Sequence, residues 1–182
     1  MKTILSIIIV TLSFQAFSQL SEVPKQNIPE DYGYIVKQGQ QMPDIKLKLT
    51  DGTTVSSKDL KGKVVMLQFT GSYCKVCREE MPHIENDIWK KHKSKDNFIL
   101  IGVDLLESSD RAKAFAKEMN ITYPLAADQK GDIFYKFAAD GAGVTRNVII
   151  DKDGKIAYLT RLFEEAEFNE MKEVIDLLLG ST

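Results

Sequence analysis

This chain has few cysteines, few histidines and no large excess of charge of either sign. Its 182 residues include two cysteines and two histidines, and the formal net charge is −2. Two thiols cannot build a larger disulfide scaffold. A near-neutral balance gives no reason to propose a nucleic acid as partner, because such binders usually carry a basic face. The length and the 43% apolar content instead indicate one globular domain with a full hydrophobic core.

A long hydrophobic run is also missing. The apolar stretch near the start, residues 4–12, is too short to span a bilayer comfortably. It follows Lys2 and precedes the small residues Ala16 and Ser18, which is the layout of a secretory signal peptide. We therefore expect residues 1–18 to be a signal peptide cleaved before Gln19, and the protein to be periplasmic or otherwise exported. An uncleaved membrane anchor is the alternative, and the protein would meet a membrane only in that case.

The two cysteines, Cys74 and Cys77, follow an apolar run at residues 64–69 and precede a stretch that is typical of a helix. Helix-terminal N–H groups favour an anion, so a thiolate at such a junction has a lowered pKa and attacks disulfides readily. The second thiol can then close an intramolecular disulfide and release the product. A purely structural crosslink is disfavoured, because the loop-entropy model gives only about 2 kcal/mol for so short a loop.

Periodicity and turn signals predict the order of the elements. Residues 19–41 are predicted to be an irregular arm or linker, and residues 42–182 the folded domain. Extended segments are predicted at residues 45–49, 53–55, 64–69, 98–103, 123–127, 147–150 and 155–160. Helices are predicted at residues 75–93 with a kink at Pro82, after a cap at Ser108, at residues 128–137, and at residues 164–179 before Gly180. Strands thus alternate with helices, and the last two strands form an antiparallel hairpin. This order indicates an α/β chain with a mixed sheet.

In this order of elements, the Cys-x-x-Cys pair with Pro82 five residues after it resembles the thioredoxin superfamily. The closer likeness is to exported TlpA/ResA-like thiol-disulfide oxidoreductases and the related redoxins. It covers roughly residues 42–180. The resemblance implies a thioredoxin fold, in which helices flank a mixed central sheet. It also implies an N-terminal β-hairpin and an inserted strand–helix unit at residues 98–126.

The resemblance further implies roles for residues near the thiols. Cys74 would be the exposed catalytic nucleophile and Cys77 the more buried resolving thiol. Tyr73 stands where the family usually has Trp, and Thr145 stands where it has a cis-proline. Tyr73, Thr145 and the preceding Val144 are the expected substrate-binding residues. Because a cis bond before a residue other than proline costs roughly 2.5–4 kcal/mol, the sequence does not predict one before Thr145.

Groups for proton transfer are harder to identify. Gln68 stands where cytosolic thioredoxins place a buried Asp, and a neutral amide cannot fill that role. Glu80, three residues after Cys77, is a candidate for proton transfer. Lys75 could favour the Cys74 thiolate, and is otherwise a solvated lysine at a helix start.

Histidine gives no indication of a metal site. His83 lies six residues after Cys77, and a helical turn is 3.6 residues, so the two side chains should point to different faces. A Cys₂His₂ site is therefore not predicted, and both His83 and His92 are expected to be solvent-exposed.

We therefore expect a thiol–disulfide oxidoreductase that exchanges a dithiol or disulfide with substrate proteins through a mixed disulfide. Its partners would be those proteins and a redox partner protein, and it would need no dissociable cofactor. Two alternatives stay open. A peroxiredoxin-like thiol peroxidase is motivated by the missing proline and by Arg146, although Thr70 does not fit the Thr-x-x-Cys spacing. A Cu(I)-binding carrier would use the two thiolates as soft ligands.

Overall fold

The computed structural model describes residues 21–180, so the predicted signal peptide and its cleavage point lie outside the described residues. The strands are β1 (Lys46–Lys48), β2 (Thr54–Ser56), β3 (Val64–Thr70), β4 (Phe98–Leu105), β5 (Leu125–Asp128), β6 (Arg146–Ile150) and β7 (Ile156–Arg161). The α-helices are α1 (Lys75–His83), α2 (Lys90–His92), α3 (Ser109–Glu118) and α4 (Glu165–Leu179). A π-helical segment, Ile84–Trp89, joins α1 to α2, and short 3₁₀ turns lie at Glu30–Tyr32 and Phe134–Lys136.

The central sheet has five strands in the order β5-β4-β3-β6-β7, and β1 and β2 form a separate hairpin. Strand β3 lies in the middle, parallel to β4 and antiparallel to β6. All of its residues are buried, because both faces of the sheet are covered by apolar side chains. The predicted mixed α/β architecture with flanking helices is therefore confirmed, and so are the N-terminal hairpin and the inserted β4–α3 unit.

The helix after the cysteines differs in its interior from a continuous α-helix. Pro82 lies inside α1 and cannot donate a backbone hydrogen bond. The chain then widens into the π-helical segment from Ile84 before one more α-helical turn. Met81, Ile84 and Ile88 are buried on one face, as their spacing predicts.

Two sequence-based predictions are wrong. Residues 128–137 do not form a helix. Strand β5 runs to Asp128, whose carboxylate accepts the backbone N–H groups of Ile133 and Phe134 and holds a loop in place. Gly131 in that loop has φ +75°, a left-handed conformation that interrupts a helix.

His92 is buried rather than exposed, because its ring packs against Phe98 and its Nε2 lies 3.1 Å from Asp176 Oδ1. Burial lowers the pKa of His92. His83 is exposed as expected, with its ring 4.9 Å from that of Phe163.

Candidate active site

The two cysteines occupy the first turn of α1, directly after the central strand. Cys74 is the N-cap residue, with extended backbone angles, and its Sγ accepts the backbone N–H of Cys77 at 3.2 Å. The spacing of three residues allows this contact, because an N-cap side chain reaches the N–H at the third helical position. Both thiols are free, Cys74 half-buried and Cys77 buried.

The two thiols differ in acidity. The hydrogen bond from the Cys77 side chain, assisted by those from Thr145 and from the helix-start N–H groups of Cys77 and Val76, lowers the pKa of Cys74 to about 5. The same interaction with Cys74, together with burial, raises the pKa of Cys77. At neutral pH, Cys74 therefore carries the negative charge and Cys77 keeps its proton.

Thr145 contacts both thiols from the loop before β6. Its Oγ1 lies 3.1 Å from Cys74 Sγ and 3.0 Å from Cys77 Sγ. The residue is fully buried, and its backbone has φ +65°. No peptide bond among residues 21–180 is cis, so the chain passes Thr145 without the cis bond typical of the resembled family.

The other expected substrate-binding residues, Tyr73 and Val144, differ in exposure. Tyr73 is 61% exposed, with its hydroxyl 3.5 Å from the carbonyl of Leu105. Val144 is buried in the core below, and its carbonyl accepts a hydrogen bond from Arg161 at 2.9 Å. The Tyr73 side chain therefore faces solvent beside the thiolate, whereas the Val144 side chain does not.

The loop that leads to Cys74 is tied down at Ser72. Glu107 accepts the backbone N–H of Ser72 at 2.7 Å and its hydroxyl at 2.5 Å. Arg111 donates to the same hydroxyl at 2.8 Å, and Arg78 donates to the Ser72 carbonyl at 2.9 Å. The N-cap position of Cys74 is thus fixed by side chains from α1, from α3 and from the segment directly before α3.

Glu80 lies on the buried face of α1, one turn beyond Cys77. Its carboxylate accepts from Asn147 Nδ2 at 2.6 Å and from Gln68 Nε2 at 3.2 Å. Tyr123 donates to Gln68 Oε1 at 2.7 Å, which turns the amide so that its nitrogen faces Glu80. Burial raises the pKa of Glu80 to about 7, against the opposing effect of the two amide donors. The carboxyl can therefore take up or release a proton near neutral pH.

Lys75 and Arg146, two further residues considered from the sequence, each contact a neighbouring side chain. Lys75 is 90% exposed at its side chain and lies 3.7 Å from Glu79. Arg146 is buried, with its guanidinium 4.7 Å from the centroid of the Tyr34 ring, and its Nε donates to the Gly143 carbonyl. Arg146, which motivated the peroxidase alternative, is thus a buried arginine that packs against Tyr34.

Sequence reasoning missed Asn147 and Leu162. Asn147 is a buried amide in strand β6, whose following residues are apolar. A polar residue next to an apolar run could have indicated a functional contact, because a buried polar group requires hydrogen-bond partners. Leu162 is 41% exposed, has φ +66° and donates its N–H to the Thr145 carbonyl. Nothing in its local sequence indicated that contact. Within residues 21–180, no group of three or more His, Cys, Asp or Glu side chains could hold a metal ion.

Comparison with known proteins places this chain in a family. The model of the Redoxin family matches residues 37–175, most of the chain. This chain belongs to the Redoxin family. A thiol-disulfide oxidoreductase, ResA, from Bacillus thuringiensis subsp. konkukian is 33% identical over 129 residues, which cover 68% of this chain and 72% of ResA.

Solved structures agree with the Redoxin assignment. A candidate protein disulfide isomerase from Bacteroides thetaiotaomicron is 53% identical with a TM-score of 0.79, over 81% of this chain and 93% of that one. A candidate thiol:disulfide interchange protein DsbE from Chlorobium tepidum is 29% identical with a TM-score of 0.67, over 80% of this chain and 99% of that one. The fold of this Redoxin-family protein is thus the predicted thioredoxin fold. The protein is a thiol–disulfide oxidoreductase.

Proposed function

We propose that this Redoxin-family protein is an exported enzyme that exchanges its Cys74–Cys77 dithiol or disulfide with protein substrates through a mixed disulfide. The observation that carries the proposal is the inequality of the two thiols. Cys74 is accessible and acidic at the helix start, whereas Cys77 is buried and keeps its proton. This is the division between an attacking and a resolving thiol.

In the reducing direction, the Cys74 thiolate attacks one sulfur of a substrate disulfide and releases the other sulfur as a thiolate. Cys77 then loses its proton and attacks Cys74 Sγ. The bond between Cys74 and the substrate breaks, and the substrate sulfur leaves with the electron pair and takes up a proton. The enzyme dithiol is oxidised by two electrons and the substrate disulfide is reduced. The reverse sequence oxidises a substrate dithiol.

Tyr73 is the side chain that we propose to contact the substrate beside the disulfide. It is the large apolar side chain exposed directly before Cys74. The side chains of Thr145 and Val144 are buried, and their backbone carbonyls already accept hydrogen bonds from Leu162 and Arg161. Substrate contact is therefore expected chiefly from Tyr73.

A Cys77→Ala variant tests the exchange directly. Incubated with insulin as a protein disulfide, it should accumulate a one-to-one adduct at Cys74 that a reductant releases, because the resolving thiol is missing. The reduced unmodified enzyme should instead release free insulin thiols without accumulating an adduct. Mass spectrometry of the trapped species identifies the cysteine involved.

Cys74→Ala is the matched control and should form no adduct, because the remaining thiol is buried. Absence of an adduct in Cys77→Ala would contradict the proposal. Peroxide consumption that depends on Cys74, or stoichiometric Cu(I) binding without insulin reduction, would favour one of the two alternatives.

Export is proposed from the N-terminal sequence. No helix within residues 21–180 has the length and apolar character needed to cross a membrane. We expect the protein recovered from the periplasmic or secreted fraction to begin at Gln19, which N-terminal sequencing would determine. A chain that begins at Met1 and sediments with membranes would instead indicate the anchored form.

A further inference from the structure

We propose that the Thr145 hydroxyl is a catalytic group that donates its single proton to whichever of the two active-site sulfurs carries the negative charge. The proposal rests on the thiol–disulfide exchange proposed above. The position of Thr145 in the sequence had suggested only a role in substrate binding. Here its side chain acts on the two thiols.

The geometry gives Thr145 equal access to both sulfurs. Its Oγ1 lies 3.1 Å from Cys74 Sγ and 3.0 Å from Cys77 Sγ, within hydrogen-bond reach of sulfur in each case. A hydroxyl has one proton, so it can donate to only one of the two sulfurs at a time. Charge-assisted hydrogen bonds are the stronger ones, so the proton points to the thiolate.

The hydroxyl is held in this position by the backbone. The N–H of Thr145 donates to the Phe69 carbonyl on β3, and its carbonyl accepts from the N–H of Leu162 after β7. These bonds hold a buried, β-branched residue at φ +65°, a conformation that such residues rarely adopt. Backbone strain of this kind concentrates at functional sites, where the surrounding structure maintains it. A proline here would place no donor between the sulfurs.

The same proton can serve both steps of the exchange. In the resting dithiol it stabilises the Cys74 thiolate. Once Cys74 is bonded to the substrate, that sulfur is neutral. Rotation about the Cβ–Oγ bond then directs the proton to Cys77 as this thiol loses its own. The Cys77 thiolate forms the bond to Cys74 Sγ, and the substrate sulfur leaves with the electron pair and takes up a proton.

Thr145→Val tests the role of the hydroxyl, because valine is nearly isosteric and shares the β-branching. The measurement is the rate of Cys74 alkylation by iodoacetamide against pH in the fully reduced protein, with the modified residue identified by mass spectrometry. Loss of a hydrogen bond to a charged group should lower the rate on the acidic side roughly tenfold to a hundredfold, and shift the profile to higher pH. Thr145→Ser keeps the hydroxyl and should stay within about twofold of the unmodified protein, well below the roughly tenfold change that one pKa unit represents.

Thr54→Val on the exposed β1–β2 hairpin is the control for threonine removal and should leave the profile unchanged. If Thr145→Val does not fold, Thr145→Ala removes the hydroxyl without β-branching and is expected to give the same shift. An unshifted profile in the folded variant without a hydroxyl, or an equal shift in Thr145→Ser, would overturn the proposal. Because alkylation needs no substrate protein, the result is independent of whether insulin is reduced.

Discussion

At the scale of single residues, the site depends on polar groups placed where burial changes their acidity. Cys74 becomes acidic because hydrogen-bond donors surround its sulfur at the helix start. Glu80 becomes less acidic because it is buried, even though Asn147 and Gln68 donate to it. One helix thus presents a thiolate at its first turn and a carboxyl that titrates near neutrality one turn beyond Cys77.

Glu80→Gln should change how stability depends on pH. The folded protein keeps the Glu80 proton up to about pH 7, whereas the unfolded chain releases it near 4.5. Between these values the folded state binds more protons, so its stability falls as pH rises, by on the order of 3 kcal/mol in all. The variant lacks this titration. The free energy of unfolding of the variant, measured with urea, should therefore decrease less between about pH 4.5 and pH 7 than that of the unmodified protein.

Glu79→Gln is the matched control, since Glu79 is the exposed neighbour that pairs with Lys75. It should leave the pH dependence as it is in the unmodified protein. Identical slopes for Glu80→Gln and the unmodified protein would show that Glu80 does not titrate in this range.

At the scale of elements, a buried chain of hydrogen bonds connects the sheet to α1. It runs from Tyr123, before β5, through Gln68 on β3 to Glu80, and on through Asn147 on β6 to Thr160 on β7. The Gln68 amide accepts from Tyr123 and donates to Glu80, and the Asn147 amide donates to both Glu80 and Thr160. The network therefore fixes how α1, and with it the cysteine pair, sits on the strands.

Tyr123→Phe should destabilise the protein through this network. It removes the donor to Gln68 Oε1 and leaves a buried acceptor without that partner, which costs about 1–3 kcal/mol. Denaturant unfolding at neutral pH measures the loss. Tyr135→Phe, at a 39% exposed tyrosine, should change stability by less than about 0.5 kcal/mol. Equal effects of the two substitutions would contradict the structural role of the network.

At the scale of the whole molecule, both edges of the central sheet are covered by segments from outside it. On the β5 side, Thr50 next to the β1–β2 hairpin donates its N–H to the Leu125 carbonyl at 2.8 Å. On the β7 side, Gln26 in the N-terminal arm makes two hydrogen bonds with the backbone of Leu159, each 2.8 Å long. Gln38 donates to the Ala157 carbonyl of the same strand. Uncovered edges invite pairing with other chains, so the arm protects β7.

Gln26→Ala should expose this edge. Leu159 loses the side-chain partners of its N–H and C=O groups, and we expect a loss of about 1–3 kcal/mol in the free energy of unfolding. Light scattering on warming should show earlier self-association than in the unmodified protein. Gln129→Ala, at an exposed glutamine, is the control and should match the unmodified protein in both measurements. Unchanged scattering in Gln26→Ala would show that the arm does not protect the edge.

Local patterns in the sequence were sufficient for most of the elements. The apolar run of β3, the Ser108 cap and the end of α4 at Gly180 are encoded within a few residues of where they occur. The predicted helix at residues 128–137 failed because the Asp128 side chain binds backbone N–H groups that a helix would have used, a choice that propensity does not reveal. His92 is buried because α4 supplies Asp176, a residue remote in sequence.

The sequence by itself determined the reactive pair, since two thiols spaced three residues apart at the start of a helix share one turn whatever surrounds them. Only the tertiary structure decided what acts on that pair. It brought Thr145 between the sulfurs and Asn147 and Gln68 onto Glu80. These contacts depend on β6 lying next to β3, which places side chains from distant parts of the chain around α1. Acidity follows from such neighbours and from burial, and neither is a local property of the chain.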